Sequence, residues 1–222
     1  MRQSSLFESQ QGHIGTDESG KGDYFGPLVT AGIFLPEGQQ KVLKELGVKD
    51  SKRLSDNRAR ELSQQIRDGY IHSIVAIGPE RYNELYLKLK NLNRILAWAH
   101  SRVIENILEE VPCMLAVTDQ FGDQRFVLNA LMKKGRNIEL EQKTKAEEDM
   151  AVAAASVLAR NEFLRRLYFL SKDFKVDLPK GSSPRSEEVG VNLVRLYGDE
   201  VLNKVAKRHF KLTHRILNVV NS

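Results

Sequence analysis

Asp17 and Glu18 are adjacent, and the turn Ser19-Gly20-Lys21-Gly22-Asp23 follows them at once. The apolar residues just before them, Ile14 to Thr16, read as a strand. Two carboxylates at a strand end beside a glycine-rich turn suit divalent-metal chemistry on an anionic substrate. Hard cations take oxygen ligands, and phosphate oxygens can complete the shell. Asp119 closes a second apolar strand, Met114 to Val117, and a third acidic group, Glu147-Glu148-Asp149, follows. Each has a plainer reading: a polar turn for the first pair, a helix N-cap for Asp119, and a favourable charge at a helix N-terminus for the third. Spacing alone does not choose among the last three acids. Three or four unpaired carboxylates in one place repel each other, and such a cluster persists when cations occupy it.

The surrounding pattern places these residues. Strands are predicted at His13 to Glu18, Leu28 to Leu35, Ile71 to Ile77, Met114 to Thr118 and Ile138 to Glu141. The first two are antiparallel across the Phe25-Gly26-Pro27 turn. Asp17 and Glu18 fall on opposite faces of a regular strand, so a bulge at its end is expected to turn both toward one site. Ser55 reads as the cap of a helix through Arg67, with Ala59, Leu62 and Ile66 at helical spacing. Pro79 to Leu87 reads as a short helix. The stripe Leu92, Ile95, Leu96, Ala99, Val103, Ile107 marks a longer one from Asn91. Further helices are predicted at Arg125 to Met132 and Ala146 to Leu170. The latter carries Ala151 to Ser156, small enough to press the helix on the sheet. A loop at Lys175 to Pro184 then leads into a tail, Ser186 to Val220, predicted helical throughout. The fold class is α/β, with a mixed five-stranded central sheet flanked by helices and a helical C-terminal region. One domain over 13–222 is expected, after a loose tail at residues 1–12.

Bulk properties narrow the partners. No apolar stretch reaches the length of a membrane span, and the polar N-terminus holds no signal core, so a cytoplasmic location without membrane contact is expected. The single cysteine, Cys113, excludes an internal disulfide and a cysteine-built zinc site, and its setting predicts a buried, inert thiol. A net charge of +5 and a pI of about 9.2 favour an acidic partner such as nucleic acid. Basic residues crowd the second half, Lys207 and Arg208 among them. Charge alone leaves them evenly divided between a binding face and a solvated helical surface.

The run Gly15-Thr16-Asp17-Glu18-Ser19-Gly20-Lys21-Gly22-Asp23-Tyr24-Phe25-Gly26-Pro27 resembles the signature of the type 2 ribonucleases H. Its Gly-Lys-Gly and Asp-Tyr-Phe-Gly-Pro details are similar to ribonuclease HIII rather than HII. Matches continue in family order at Lys49-Asp50-Ser51-Lys52, Asn91-Leu92-Asn93, Leu96 to His100, Asp119-Gln120-Phe121, Lys145-Ala146-Glu147, Ala151 to Ser156, Leu178 to Gly181 and Lys207 to Lys211. The resemblance covers about residues 13 to 212. It implies a ribonuclease H-like fold, cleavage of the RNA strand of RNA–DNA hybrids, and Mg2+ or Mn2+, two per site. It implies metal ligation and catalysis by Asp17, Glu18, Asp119 and Glu147. It also implies nucleic-acid contacts by Ser19, Gly20, Lys21, Gly22, Ser51 and Lys52. Ribonuclease HIII typically carries an N-terminal substrate-binding domain, and only about 12 residues precede the first predicted strand here. The rival expectations are nicking at single ribonucleotides in duplex DNA, a non-catalytic hybrid-binding module, and a resolvase-like enzyme acting on DNA junctions. A monomer is the expected state.

The remaining residues read more plainly. None of the five histidines has ligand spacing to another. His100, on the apolar stripe, is expected to be structural, while His209 divides between a phosphate contact and an ordinary surface position. Trp98 is expected in the core, and Tyr24 and Phe25 are expected to pack rather than stack on bases.

Overall fold

The computed structural model describes residues 11–48, 54–119, 122–131, 134–144 and 146–222, and only the backbone of Glu147. Ser51, Lys52, Gln120, Phe121 and Lys145 lie outside the described residues. Five strands form one mixed sheet: β1 (Gly12–Ser19), β2 (Leu28–Pro36), β3 (His72–Ile77), β4 (Leu115–Asp119) and β5 (Glu139–Lys143), in the order β3-β2-β1-β4-β5. β1, β2 and β3 pair antiparallel as a meander, and β4 and β5 continue parallel to β1. The carboxyl ends of β1, β4 and β5 therefore share one edge of the sheet, where open α/β sheets place their sites.

Helices cover both faces. On one side lie α3 (Pro79–Leu89), α4 (Leu92–Glu110) and α5 (Arg125–Ala130). Ile14, Leu28 and Phe34 of the sheet pack there against Ile95, Ala99 and Val103. On the other side lie α2 (Asp56–Gly69) and the long α6 (Met150–Asp173), with α7 (Pro184–Tyr197) and α9 (Lys211–Asn221) packed behind them and α8 (Val201–Val205) between α7 and α3. Val29, Ala31, Ile33 and Leu35 meet Ala153, Ala154, Val157 and Leu158 on that face, so β2 is buried on both sides. Capping accounts for several helix starts. Ser55 Oγ accepts from Arg58 N–H at 3.2 Å, and Asn91 Oδ1 accepts from Asn93 N–H at 2.8 Å.

Gly15 explains how α6 lies so near the sheet. A Cβ at Gly15 would collide with the backbone of Ala151 and Val152. The alanine run on the helix and the bare α-carbon on β1 are two halves of one close contact.

Several expectations are corrected. α1 (Gln40–Glu45) was not foreseen; it is one and a half turns long and buries only Leu43, too little for a periodic signal. α5 stops at Ala130 rather than Met132, where Leu131 turns extended. The long helix begins at Met150 rather than Ala146, because Ala146–Glu148 forms a 3-10 turn and Asp149 caps the helix. The tail is not continuous: Gly198, at φ 78°, ends α7, and extended residues divide α8 from α9. Trp98 is 46% exposed rather than buried, bordering an open groove beside Val75 to Ile77 of β3.

Candidate active site

No bulge turns the two adjacent acids together. β1 keeps an unbroken register with β2 through Asp17↔Ala31, Glu18↔Thr30 and Ser19↔Val29. The acids point to opposite faces and are met there by different helices. On the α6 face, the Ser156 hydroxyl bonds the Asp17 carboxylate. On the α4 face, His100 Nε2 lies 3.2 Å from Glu18 Oε2. Both carboxyls still border one cleft because the strand ends at the sheet edge, and the following turn, Gly20 to Asp23, wraps round it. The cleft has a volume of about 670 Å³ and is also bordered by Asp119, Ser156, Arg160 and Lys180.

Asp119 arrives by register. Thr16 of β1 lies beside Thr118 of the parallel β4, so Asp17 and Asp119 follow one residue later on neighbouring strands. Asp119 is not a helix cap, since the residue before α5 is Gln124. Burial, then the charge of Glu18, then that of Asp119 push the Asp17 carboxyl up to about 7, against hydrogen bonds from Ser156 and the Glu18 amide. Burial also acts on Glu18, but His100 and Lys21 outweigh it and hold that carboxyl below the usual range. Lys21 Nζ reaches Glu18 Oε1 at 3.2 Å.

His100 is fully buried between two partners, with Thr16 Oγ1 at 2.8 Å from Nδ1 and Glu18 on Nε2. A carboxylate only accepts, so His100 Nε2 carries a proton and donates to Glu18. The expected structural histidine thus orients a catalytic candidate. Its signal was a polar residue on an apolar helical stripe, facing the even positions 16 and 18 of β1.

The three acids after β5 separate. Asp149 is spent as the α6 cap, accepting from Ala151 N–H at 2.8 Å and pairing with His13 at 2.9 Å. Glu148 is exposed. Glu147 sits on the 3-10 turn that follows β5 at the same sheet edge, and its side chain lies outside the described residues. Among the described residues no three His, Cys, Asp or Glu side chains form a ready metal-binding group. The donor set nevertheless fits a hard cation: Asp17, Glu18 and Asp119 offer oxygen ligands, and a buried acid raised by two negative neighbours gains from positive charge.

The glycine turn is held from the far end of the chain. Gly20 has φ 87°, and a Cβ there would strike the Pro27 carbonyl. Asp23 Oδ1 accepts from Gly181 N–H at 2.6 Å, and Phe25 bridges to Ala206. Lys207 is 1% exposed, so it belongs to neither a binding face nor a solvated surface. Its ammonium faces the carbonyls of Phe25 at 3.5 Å, Gly26 at 2.7 Å and Pro27 at 3.4 Å. Burial pushes the Lys207 amine down to about 7, with Asp23 opposing. Tyr24 and Phe25 are fully buried, as expected. His209 is half-buried and stacks on Tyr86 with ring centroids 4.3 Å apart. Cys113 is buried, and burial raises its thiol.

Residues 14–213 match the family model described as Ribonuclease HII. A curated protein of Protochlamydia amoebophila named Ribonuclease HIII is 47% identical over 208 residues, covering 94% of this chain and 69% of the relative. The chain belongs to the type 2 ribonuclease H family. Among solved structures, Bst-RNase HIII in complex with Mn2+ superposes with a TM-score of 0.87 at 29% identity, over 96% of this chain and 71% of that one. Aquifex aeolicus RNase H3 gives 0.74 at 30%, over 91% of this chain and 74% of that one. The fold of this type 2 ribonuclease H is therefore ribonuclease H-like. Among its described residues no helix is long and apolar enough to cross a membrane.

Proposed function

We propose that this enzyme is an HIII-type endonuclease that hydrolyses the RNA strand of RNA–DNA hybrids, leaving 5′-phosphate and 3′-hydroxyl ends. The observation that carries the reading is the meeting of Asp17, Glu18 and Asp119 with the Gly20-Lys21-Gly22 turn in one cleft. Two divalent ions, Mg2+ or Mn2+, supply activation of the attacking water and stabilisation of the leaving oxygen when bound. Asp17, Glu18 and Asp119 hold them, with Glu147 as the fourth ligand by its place in the family signature. His100 holds Glu18 ionised and oriented, and the Ser156 hydroxyl orients Asp17, whose carboxyl is raised by burial and its negative neighbours. Backbone groups of Gly20 and Gly22 read the 2′-hydroxyl on the strength of the resemblance, a route to telling RNA from DNA. Ser19, Lys21, Ser51 and Lys52 serve as contacts to the strand on the strength of the resemblance.

The name of the matching family model favours a second reading, nicking at single ribonucleotides in duplex DNA. End-labelled all-RNA hybrid and one-ribonucleotide duplex, incubated side by side with Mg2+ and with Mn2+, separate the two. Faster hybrid cleavage with 5′-phosphate products is the expected result. Preference for the embedded ribonucleotide overturns the HIII assignment, and no metal-dependent cleavage of either overturns the enzyme reading.

A further inference from the structure

Beyond the cleft, α6 carries a second set of groups facing α2. Glu162 is a nearly buried carboxylate on which three guanidiniums converge. Arg165 donates to it through Nε at 3.0 Å and Nη2 at 2.9 Å, Arg166 through Nε at 2.7 Å, and Arg67 of α2 stands at 3.6 Å. One negative charge thus meets three positive ones, and Glu61, which also lines the groove beside Arg60, is paired with Arg58 at 3.2 Å. The Arg165 and Arg166 heads are half-exposed. Each guanidinium has five N–H donors, so fixing it on Glu162 leaves donors for a second oxyanion.

Two large aromatic rings project beside this cluster: Tyr168 is 57% and Phe169 51% exposed. Each has a cation near its ring, Lys172 at 5.3 Å from Tyr168 and Arg165 at 5.7 Å from Phe169. The groove joins the cleft. Leu164 borders both, and Asp56 of the groove is neutralised by Arg160 at 2.7 Å and Lys180 at 3.1 Å, which border the cleft.

The geometry points to the α2–α6 groove as a second contact for the nucleic-acid duplex, gripping its sugar–phosphate backbone away from the cleavage point. The inference rests on the hybrid reading above. Fixed guanidiniums address phosphates, and the rings lie against sugar edges without reading sequence. Arg165 and Lys172 lie nine and sixteen residues beyond Ser156 on one helix, which is about 14 to 24 Å along its axis. For a duplex running along α6 from the cleft that Ser156 borders, about 3.4 Å per base pair makes this about four to seven base pairs.

The test compares the wild type with the triple variant Tyr168→Ala, Phe169→Ala, Lys172→Ala, all surface positions, on two hybrids. One extends about ten base pairs on both sides of the cut, the other about three. The expected result is a roughly tenfold higher KM on the long hybrid, unchanged kcat, no change on the short one, and a salt slope of log Kd smaller by about one. Equal loss on both hybrids, or on neither, overturns the inference. Anisotropy of the fluorescein-labelled long hybrid in EDTA gives Kd without turnover. If the enzyme cleaves nothing, the activity reading falls, while the Kd ratio of wild type to variant still judges the groove.

Discussion

Replacing Lys207 with Met isolates the electrostatics of one buried amine. Met has similar length and no charge, and it keeps most of the apolar stem in place. In the folded protein burial brings the amine from its ordinary 10.5 to about 7. At about 1.4 kcal/mol per pH unit, that gap corresponds to about 5 kcal/mol for holding the charge inside. The sign follows from proton binding. Below pH 7 both folded and unfolded chains carry the proton and the cost is fully present. Between pH 7 and 10.5 the unfolded chain binds more protons, so stability rises with pH. From pH 7.5 to 9.5 the wild type should gain about 2 to 3 kcal/mol from this group relative to Lys207→Met. Urea titrations at several pH values in that range, read as the difference between the two proteins, measure it. A constant difference would refute the reasoning. It would mean that the three carbonyls of Phe25, Gly26 and Pro27, which match the three N–H bonds of an ammonium, keep the charge in place despite burial.

Asp119→Asn should reduce hybrid cleavage to background while the thermal midpoint stays near wild type, since Asp119 ends a strand and caps no helix; near-normal turnover would remove it from the site. His100→Ala should lower activity, or raise the Mg2+ concentration for half-maximal rate, by about 10- to 100-fold through a misplaced Glu18; a metal titration that overlays the wild type would deny the histidine its role. Gly15→Ala should cost about 1 to 3 kcal/mol of unfolding free energy by forcing α6 off the sheet; a chemical melt with an unchanged midpoint would contradict the close contact with Ala151 and Val152.

The meeting of the acids at one sheet edge was legible because its determinants are local. Apolar runs ending in acids at 17 and 119 identify strand ends, and parallel pairing of β1 with β4 does the rest. What brings Asp17 and Glu18 to one cleft was misread. A bulge was expected, whereas a straight strand suffices once helices on both faces supply partners, and those helices are distant in sequence. Spacing alone left Asp149 equivalent to Glu147, and the helix start at Met150 makes Asp149 the cap. Trp98 was placed inside from its hydrophobicity, but its helix face is decided by neighbours that a single stripe does not reveal. Lys207 was the hardest case. The string Lys-Arg-His-Phe-Lys reads as a wet basic surface, and its burial depends on a turn 180 residues upstream.

That dependence has a consequence for how the enzyme loses function. The segment after β1 is tied to the C-terminal part of the chain: Tyr24 N–H donates to the Gly181 carbonyl at 3.0 Å, Gly26 N–H to that of Val205 at 2.9 Å, and Lys207 N–H to that of Tyr24 at 2.9 Å. Protease nicks or mild heating that peel away the last few helices would loosen the glycine turn that borders the cleft. Damage confined to the C-terminal helices should therefore reach the cleft, although none of those helices borders it.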